Sequence, residues 1–194
     1  MKRFYAFHAR FYDLTRRFLL PRRKSAVRAL NVRKGETVVD FACGTGLNLS
    51  LLFNAGADQA LGLDSSLAML HPARRKSPRA LLVCADIRDS PLKMRVNKVI
   101  CAYALSIIDD WEQALAAIPA SLSDDGVLVV LDFSPLRGFL RPLNPLFRWW
   151  LRIWGTSAEK PIEKVLCAHF SSVRSEPWAL GYAGIWIASH PKRT

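Results

Sequence analysis

From residue 36 onward the chain alternates short apolar runs with amphipathic ones, and the period of the pattern switches back and forth between two and 3.6 residues. Glu36 to Phe41 predicts a first strand, Leu47 to Ala55 a helix, Gln59 to Leu63 a second strand and Leu81 to Cys84 a third. Val96 to Ala102 predicts strand four, Trp111 to Leu122 a helix disturbed at Pro119, and Val127 to Phe133 strand five. Two further apolar runs, Ser171 to Ser175 and Tyr182 to Ser189, are separated by few residues and predict a closing hairpin. Alternation of this kind implies an α/β fold, a parallel sheet with helices on both faces. Ligands of such sheets bind beyond the carboxyl ends of the strands, so function is expected in those loops.

A chain of 194 residues with 51% hydrophobic content fits one domain with a sizeable core and excludes intrinsic disorder. The longest apolar runs, Val99 to Ile108 and Gly126 to Leu131, are too short for a membrane span and read as buried strands. Four cysteines, Cys43, Cys84, Cys101 and Cys167, lie in or beside apolar runs without a disulfide framework, and are expected to be core thiols in a reducing compartment. His8, His71, His169 and His190 show no ligand spacing, so no metal site is expected.

Charge changes the picture. The formal net charge is +12, and eleven of the 28 Lys and Arg precede residue 35, opposed there only by Asp13. Residues 1–34 are therefore a basic arm, and residues 35–194 the domain proper. On a helical projection Phe4, Phe7, Phe11, Leu14 and Phe18 form one stripe, with Arg3, Arg10, Asp13 and Arg17 opposite. Such a helix either packs its stripe on the domain or lies on an anionic membrane, and the two are compatible. It lacks the continuous apolar stretch of a secretory signal, which predicts a cytoplasmic protein associated peripherally with the membrane. Arg137 to Arg152 repeats the chemistry, with four Arg, no acid, and apolar residues that include Phe147, Trp149 and Trp150. Trp suits the depth of lipid headgroups and Arg148 and Arg152 can reach phosphate, although an ordinary buried helix would read the same way.

The strongest chemical signal is Val38-Val39-Asp40-Phe41-Ala42-Cys43-Gly44-Thr45-Gly46, an apolar strand that runs through an acid into a glycine turn and then a helix. Gly44 and Gly46 let the backbone bend sharply and bring no Cβ, so a ligand can lie against the chain. Leu49 stands where a dinucleotide fingerprint needs a third glycine, and the Lys of a phosphate-binding loop is missing. Asp64 ends the second strand, where a carboxylate can accept both hydroxyls of a ribose. Asp86 follows the third and can accept from an adenine amino group, with Ile87 against the ring.

On these residues the chain resembles the class I S-adenosylmethionine-dependent methyltransferases from Glu36 onward. The wording Asp-x-Ala-Cys-Gly-Thr-Gly, with Ala42 where many members have Gly, is similar to the subgroup acting on quinones and lipids. The resemblance implies a single Rossmann-like domain whose seven-stranded, mostly parallel sheet has an antiparallel last strand. It implies S-adenosyl-L-methionine as cofactor, with Asp40, Ala42 and the Gly44 to Gly46 turn at the methionine part, Asp64 and Ser65 at the ribose, and Asp86 and Ile87 at the adenine. Tyr12-Asp13-Leu14-Thr15-Arg16, Tyr103 to Ile108 and Asp132-Phe133 also resemble the bacterial soluble phospholipid N-methyltransferases. There Tyr12 would belong to a helix covering the cofactor, making the arm both lid and anchor.

The resulting expectation is an enzyme that N-methylates a phospholipid amine such as that of phosphatidylethanolamine, with Tyr12, Tyr103 and Asp132 orienting the amine or accepting from it. Its partner would be an anionic membrane, met through Phe4, Phe7, Arg10, Phe11, Arg17, Arg148, Trp149, Trp150 and Arg152. The alternatives are C-methylation of a quinone precursor, or a nucleic-acid-binding module. The Phe stripe counts against nucleic acid, because gripping phosphates does not require it.

Overall fold

Strands covered on both faces need nearly continuous apolar sequence, and such runs fill the centre of one seven-stranded sheet. The computed structural model describes residues 21–89, 92, 94–178 and 180–193. In chain order the elements are α1 (Arg23–Ala29), β1 (Thr37–Phe41), α2 (Leu49–Asn54), β2 (Gln59–Asp64), α3 (Leu67–Lys76), β3 (Leu81–Cys84), β4 (Val96–Ala102), α4 (Trp111–Ser121), β5 (Leu122–Ser134), α5 (Asn144–Ile153), α6 (Ile162–His169), β6 (Phe170–Pro177) and β7 (Tyr182–Pro191). Two 3₁₀ turns, Ile87–Asp89 and Gly138–Leu143, lie within the connections.

The strand order is β3-β2-β1-β4-β5-β7-β6, with β1 to β5 parallel and β7 antiparallel to both its neighbours. The order reverses between β1 and β4, so a crevice must open above their carboxyl ends. Alternate residues feed two apolar layers. Val38, Ile100, Val129 and Leu131 pack with Ala26, Val27, Leu52, Ala73 and Leu151 of α1, α2, α3 and α5 on one face. Val39, Val99, Cys101, Leu128 and Val130 pack with Leu115, Ile118 and Leu166 of α4 and α6 on the other. Burial of each Val, Leu or Ile among these stabilises the fold by roughly 1.5–3 kcal/mol.

The predicted strands are present within a residue or two, except that β5 begins five residues early, directly after α4 ends at Ser121, with Pro119 inside its last turn. Helices α3 and α6 are additions to the sequence expectation. Ala26, Val27 and Leu30 lie in the core, so the part of the basic segment from residue 23 belongs to the packed domain. Residues 1–20, with Tyr12, Phe4, Phe7, Arg10, Phe11 and Arg17, lie outside the described residues. One expectation is corrected: Cys43 and Cys101 are buried, but Cys84 and Cys167 are exposed. Cys84 is exposed because β3 is the sheet's edge strand. No described helix is long and apolar enough to cross a membrane.

Candidate active site

β1 delivers the buried Asp40 to the crevice, and the chain then has to leave the sheet at once. It does so through left-handed backbone at Ala42 (φ 56°), Gly44 (φ 56°) and Gly46 (φ 77°). The Cys43 N–H donates to the Leu63 carbonyl at 2.8 Å and the Gly46 N–H to the Cys43 carbonyl at 3.0 Å, which tie the turn to β2 and to itself. The glycines do different jobs. A Cβ at Gly46 would come within 3.0 Å of the Ala73 Cβ on α3, whereas one at Gly44 would meet nothing within 4 Å. Gly46 thus permits helix packing, and Gly44 leaves its backbone open to a ligand.

Above this turn lies a cleft of about 460 Å³. Its walls include Ala42, Gly44 and Thr45 after β1, Asp64 and Ser65 after β2, Asp86, Ile87 and Arg88 after β3, and Tyr103, Ile107, Ile108 and Asp109 after β4. Met69 of α3 and Arg23 of α1 complete it. Of the residues singled out by sequence, Ala42, Gly44, Asp64, Ser65, Asp86, Ile87 and Tyr103 therefore meet in one cavity, whereas Asp40 and Gly46 are not part of its lining.

The carboxylates differ in environment. Asp64 accepts from the Gly44 N–H at 2.8 Å and the Ser66 N–H at 2.9 Å, one bond per oxygen, so each oxygen retains a lone pair for a ligand hydroxyl. Burial raises its pKa against the pull of those two bonds. Asp40 is fully buried, and burial pushes its carboxyl up to about 7, although the Asn48 amide donates to both its oxygens at 3.0 and 3.2 Å. The same Asn48 accepts from Arg23 Nη1 at 2.8 Å, so a guanidinium–amide–carboxylate chain runs under the cleft. Asp86 is held by Arg88, whose Nε and Nη2 donate to its two oxygens at 3.0 and 2.7 Å, while Nη1 reaches Asp110 at 2.7 Å. Hydrogen bonding to Asp86 and its charge raise the Arg88 pKa.

Tyr103 forms the wall next to the floor, again with positive φ (55°). Its hydroxyl donates to the Pro21 carbonyl at 2.7 Å, and the Arg23 guanidinium lies 5.3 Å from its ring centroid. Burial raises the phenol's pKa, so Tyr103 offers an aromatic face and an acceptor lone pair and does not act as a base. The expectation for Asp132 is corrected. It is buried, lies off the cleft, and accepts from the Ser106 N–H at 3.0 Å and the Phe133 N–H at 2.8 Å. Its side chain turns inward under the Tyr103–Ser106 loop, which it positions. Burial raises its carboxyl to about 6, with the Lys160 ammonium pulling the other way. Lys160 holds the same loop from outside, donating to the Leu105 carbonyl and, at 2.9 Å, to that of Ile108.

Sequence reasoning missed Arg23, Asn48 and Arg88. Arg23 was indistinguishable among eleven clustered cations. Asn48, two residues past Gly46, was the one with a usable signal, because an amide inside the first turn after a glycine bend can reach back to the strand-end acid.

A protein-family model described as a methyltransferase domain matches residues 38–126, the stretch from Asp40 through β5's start that builds most of this cleft. Among curated proteins, the chain is 36% identical over 101 residues to dTDP-3-amino-3,6-dideoxy-alpha-D-glucopyranose N,N-dimethyltransferase of Streptomyces fradiae, covering 50% of this chain and 39% of that protein. It is 28% identical over 186 residues to demethylmenaquinone methyltransferase of Beutenbergia cavernae, covering 91% of this chain and 76% of that protein. Its fold is similar, with a TM-score of 0.74 at 18% identity and 97% coverage of both chains, to a methyltransferase of Thermotoga maritima described as a possible histamine N-methyltransferase. The match to the Streptomyces protein spans well under half of that relative's length.

Residues 38–126 thus match a methyltransferase domain, set on a seven-stranded sheet with a cleft over the carboxyl ends of its parallel strands, and the donor such a domain would take is S-adenosylmethionine. The residues present fit that molecule: bare backbone at Gly44, hydroxyl acceptors at Asp64, an apolar slot at Met69 and Ile87, and the Arg23 cation for a carboxylate.

Proposed function

We propose that this protein N-methylates the amine of a phospholipid headgroup, such as that of phosphatidylethanolamine, at a membrane surface. The observation that carries the reading is the composition of the cleft. Beside the donor-binding turn, its acceptor side offers the Tyr103 ring, apolar Ile107 and Ile108, and the exposed Asp109 carboxylate at the lip. An amine on an apolar anchor complements that set, and the Streptomyces relative, by name, methylates an amine.

Bound S-adenosylmethionine supplies an electrophilic methyl carbon on a sulfonium. The chain's task is then to place an unprotonated nitrogen in line with it, since proximity provides most of the acceleration. Asp64 holds hydroxyls and Gly44 gives close approach. Asp109 accepts a hydrogen bond from the incoming ammonium, whose proton leaves to water before attack. The Tyr103 face attracts the cationic products through its ring, which permits repeated methylation.

A second reading, C-methylation of a quinone precursor, is favoured by the Beutenbergia relative, whose similarity runs along 91% of this chain. Incubation with methyl-labelled S-adenosylmethionine, phosphatidylethanolamine vesicles and a demethylated quinone in parallel decides between them. The proposal expects label in the lipid amine. Label in the quinone alone, or in neither, overturns it.

A further inference from the structure

We infer that the face made by the Gly138–Leu143 turn and α5 docks onto the headgroup region of an anionic phospholipid bilayer. This rests on the membrane-acceptor reading only in sharing its location.

Helix α5 spends its inward residues on the core and leaves an equally apolar set outside. Phe147 and Leu151, four apart, are buried, and the Phe147 ring lies 5.4 Å from that of Tyr182. Leu146, Trp149 and Ile153, at i, i+3 and i+7, share the outward side and are 60–61% exposed. Phe139, at 78%, with Leu143 and Trp154, extends the patch. Half of the twelve exposed large apolar side chains among the described residues fall in residues 139–154. The neighbouring loop adds Trp178 and Leu180, held alongside by the Arg137 N–H donating to the Leu180 carbonyl at 2.9 Å. Trp150 is the exception to the sequence expectation: it is half-buried and stacks on Phe147, with centroids 6.1 Å apart.

Charge selects the occupant. Arg137, Arg141, Arg148 and Arg152 border the patch, and no acid intervenes between Asp132 and Glu159. Glu159 pairs with Arg148 at 2.5 Å, which leaves the rim cationic. A second copy docked about a two-fold axis would set these arginines against their own mates. Nucleic acid would satisfy the arginines and leave Trp149 and Ile153 in water. A bilayer surface takes both, apolar side chains and indoles at headgroup depth and guanidinium groups on lipid phosphates.

The placement serves the cleft. β5 ends at Ser134 on the sheet edge where parallel β1, β2 and β4 also end, so patch and cleft mouth lie at one end of the molecule. A chain of ring contacts, Tyr103 to Phe133 at 5.2 Å, Phe133 to Tyr182 at 5.7 Å and Tyr182 to Phe147, ties cleft wall to docking helix.

The test is co-sedimentation of the full chain with phosphatidylcholine vesicles, with and without phosphatidylglycerol, beside the double variant Trp149→Glu/Ile153→Glu and the variant Arg141→Glu/Arg152→Glu. Wild type is expected to sediment when phosphatidylglycerol is present, and each variant to bind at least about tenfold more weakly, since each loses a set of side chains that meets the bilayer. S-adenosylmethionine affinity, read in the same preparations, stays unchanged and shows that the variants are folded. Undiminished sedimentation of both variants overturns the inference, as does a wild-type dimer that ignores vesicles and dissociates in the Trp149→Glu/Ile153→Glu variant. Vesicle binding without label in phosphatidylethanolamine would sink the substrate proposal and leave the docking face standing.

Discussion

Ala42 occupies backbone that a glycine would hold without strain, at φ 56°. The strain is local and the Ala42 methyl is only partly buried against the core, so Ala42→Gly is expected to stabilise the protein by up to about 1 kcal/mol, read from urea denaturation. Asp40 gives a sharper prediction. Its folded pKa of about 7 lies above the model-peptide value of 3.8, so between those limits the folded chain holds a proton that the unfolded chain has lost. Its contribution to stability is complete below about pH 4 and is lost as the pH rises through 7. Asp40→Asn is therefore expected to gain on wild type between pH 5 and 8, by on the order of 2–4 kcal/mol, in denaturation curves run without donor. Spacing made the places of Asp40, Asp64 and Asp86 near the carboxyl edge of the sheet legible, because each lies at the end of a recognisable strand or just after it. Asp132 was misjudged for the same reason: a strand-end position does not say whether the side chain turns to the ligand or inward under a loop.

Elements position what residues supply, and the 3₁₀ turn Ile87–Asp89 shows how. Arg88 joins Asp86 after β3 to Asp110, which precedes α4, and so straps together two loops that wall the cleft. Arg88→Ala is expected to raise the KM for S-adenosylmethionine about three- to tenfold with kcat nearly unchanged, and Arg88→Lys to restore part of it. An equal fall of kcat with no change in KM would contradict this positioning role. The strands were readable because a sheet covered on both faces demands unbroken apolar runs. Helix α3 was not, because Pro72 interrupts it and only Met69, Leu70 and Ala73 are buried. Helix α6 is eight residues long, too short for its period to stand out.

At the scale of the whole molecule, topology does the assembling. The reversal of strand order between β1 and β4 gathers residues as far apart in sequence as Arg23 and Asp109 around one cleft. Sequence pattern announced a parallel sheet and its terminal hairpin, but pairing order and the place of α1 in the core depend on contacts that no local window contains. The apolar and cationic face on α5 belongs to this scale too, since only the fold shows that it shares an end with the cleft.

Everything rests on that cleft as the proposed seat of the methyl donor. Isothermal titration of S-adenosylmethionine into the full chain is expected to give heat that saturates at one donor per chain. The affinity should fall about tenfold or more in Asp64→Asn, which weakens a charged hydrogen-bond acceptor facing the ribose position. Wild type that takes up no donor, or Asp64→Asn binding as tightly as wild type, would contradict it.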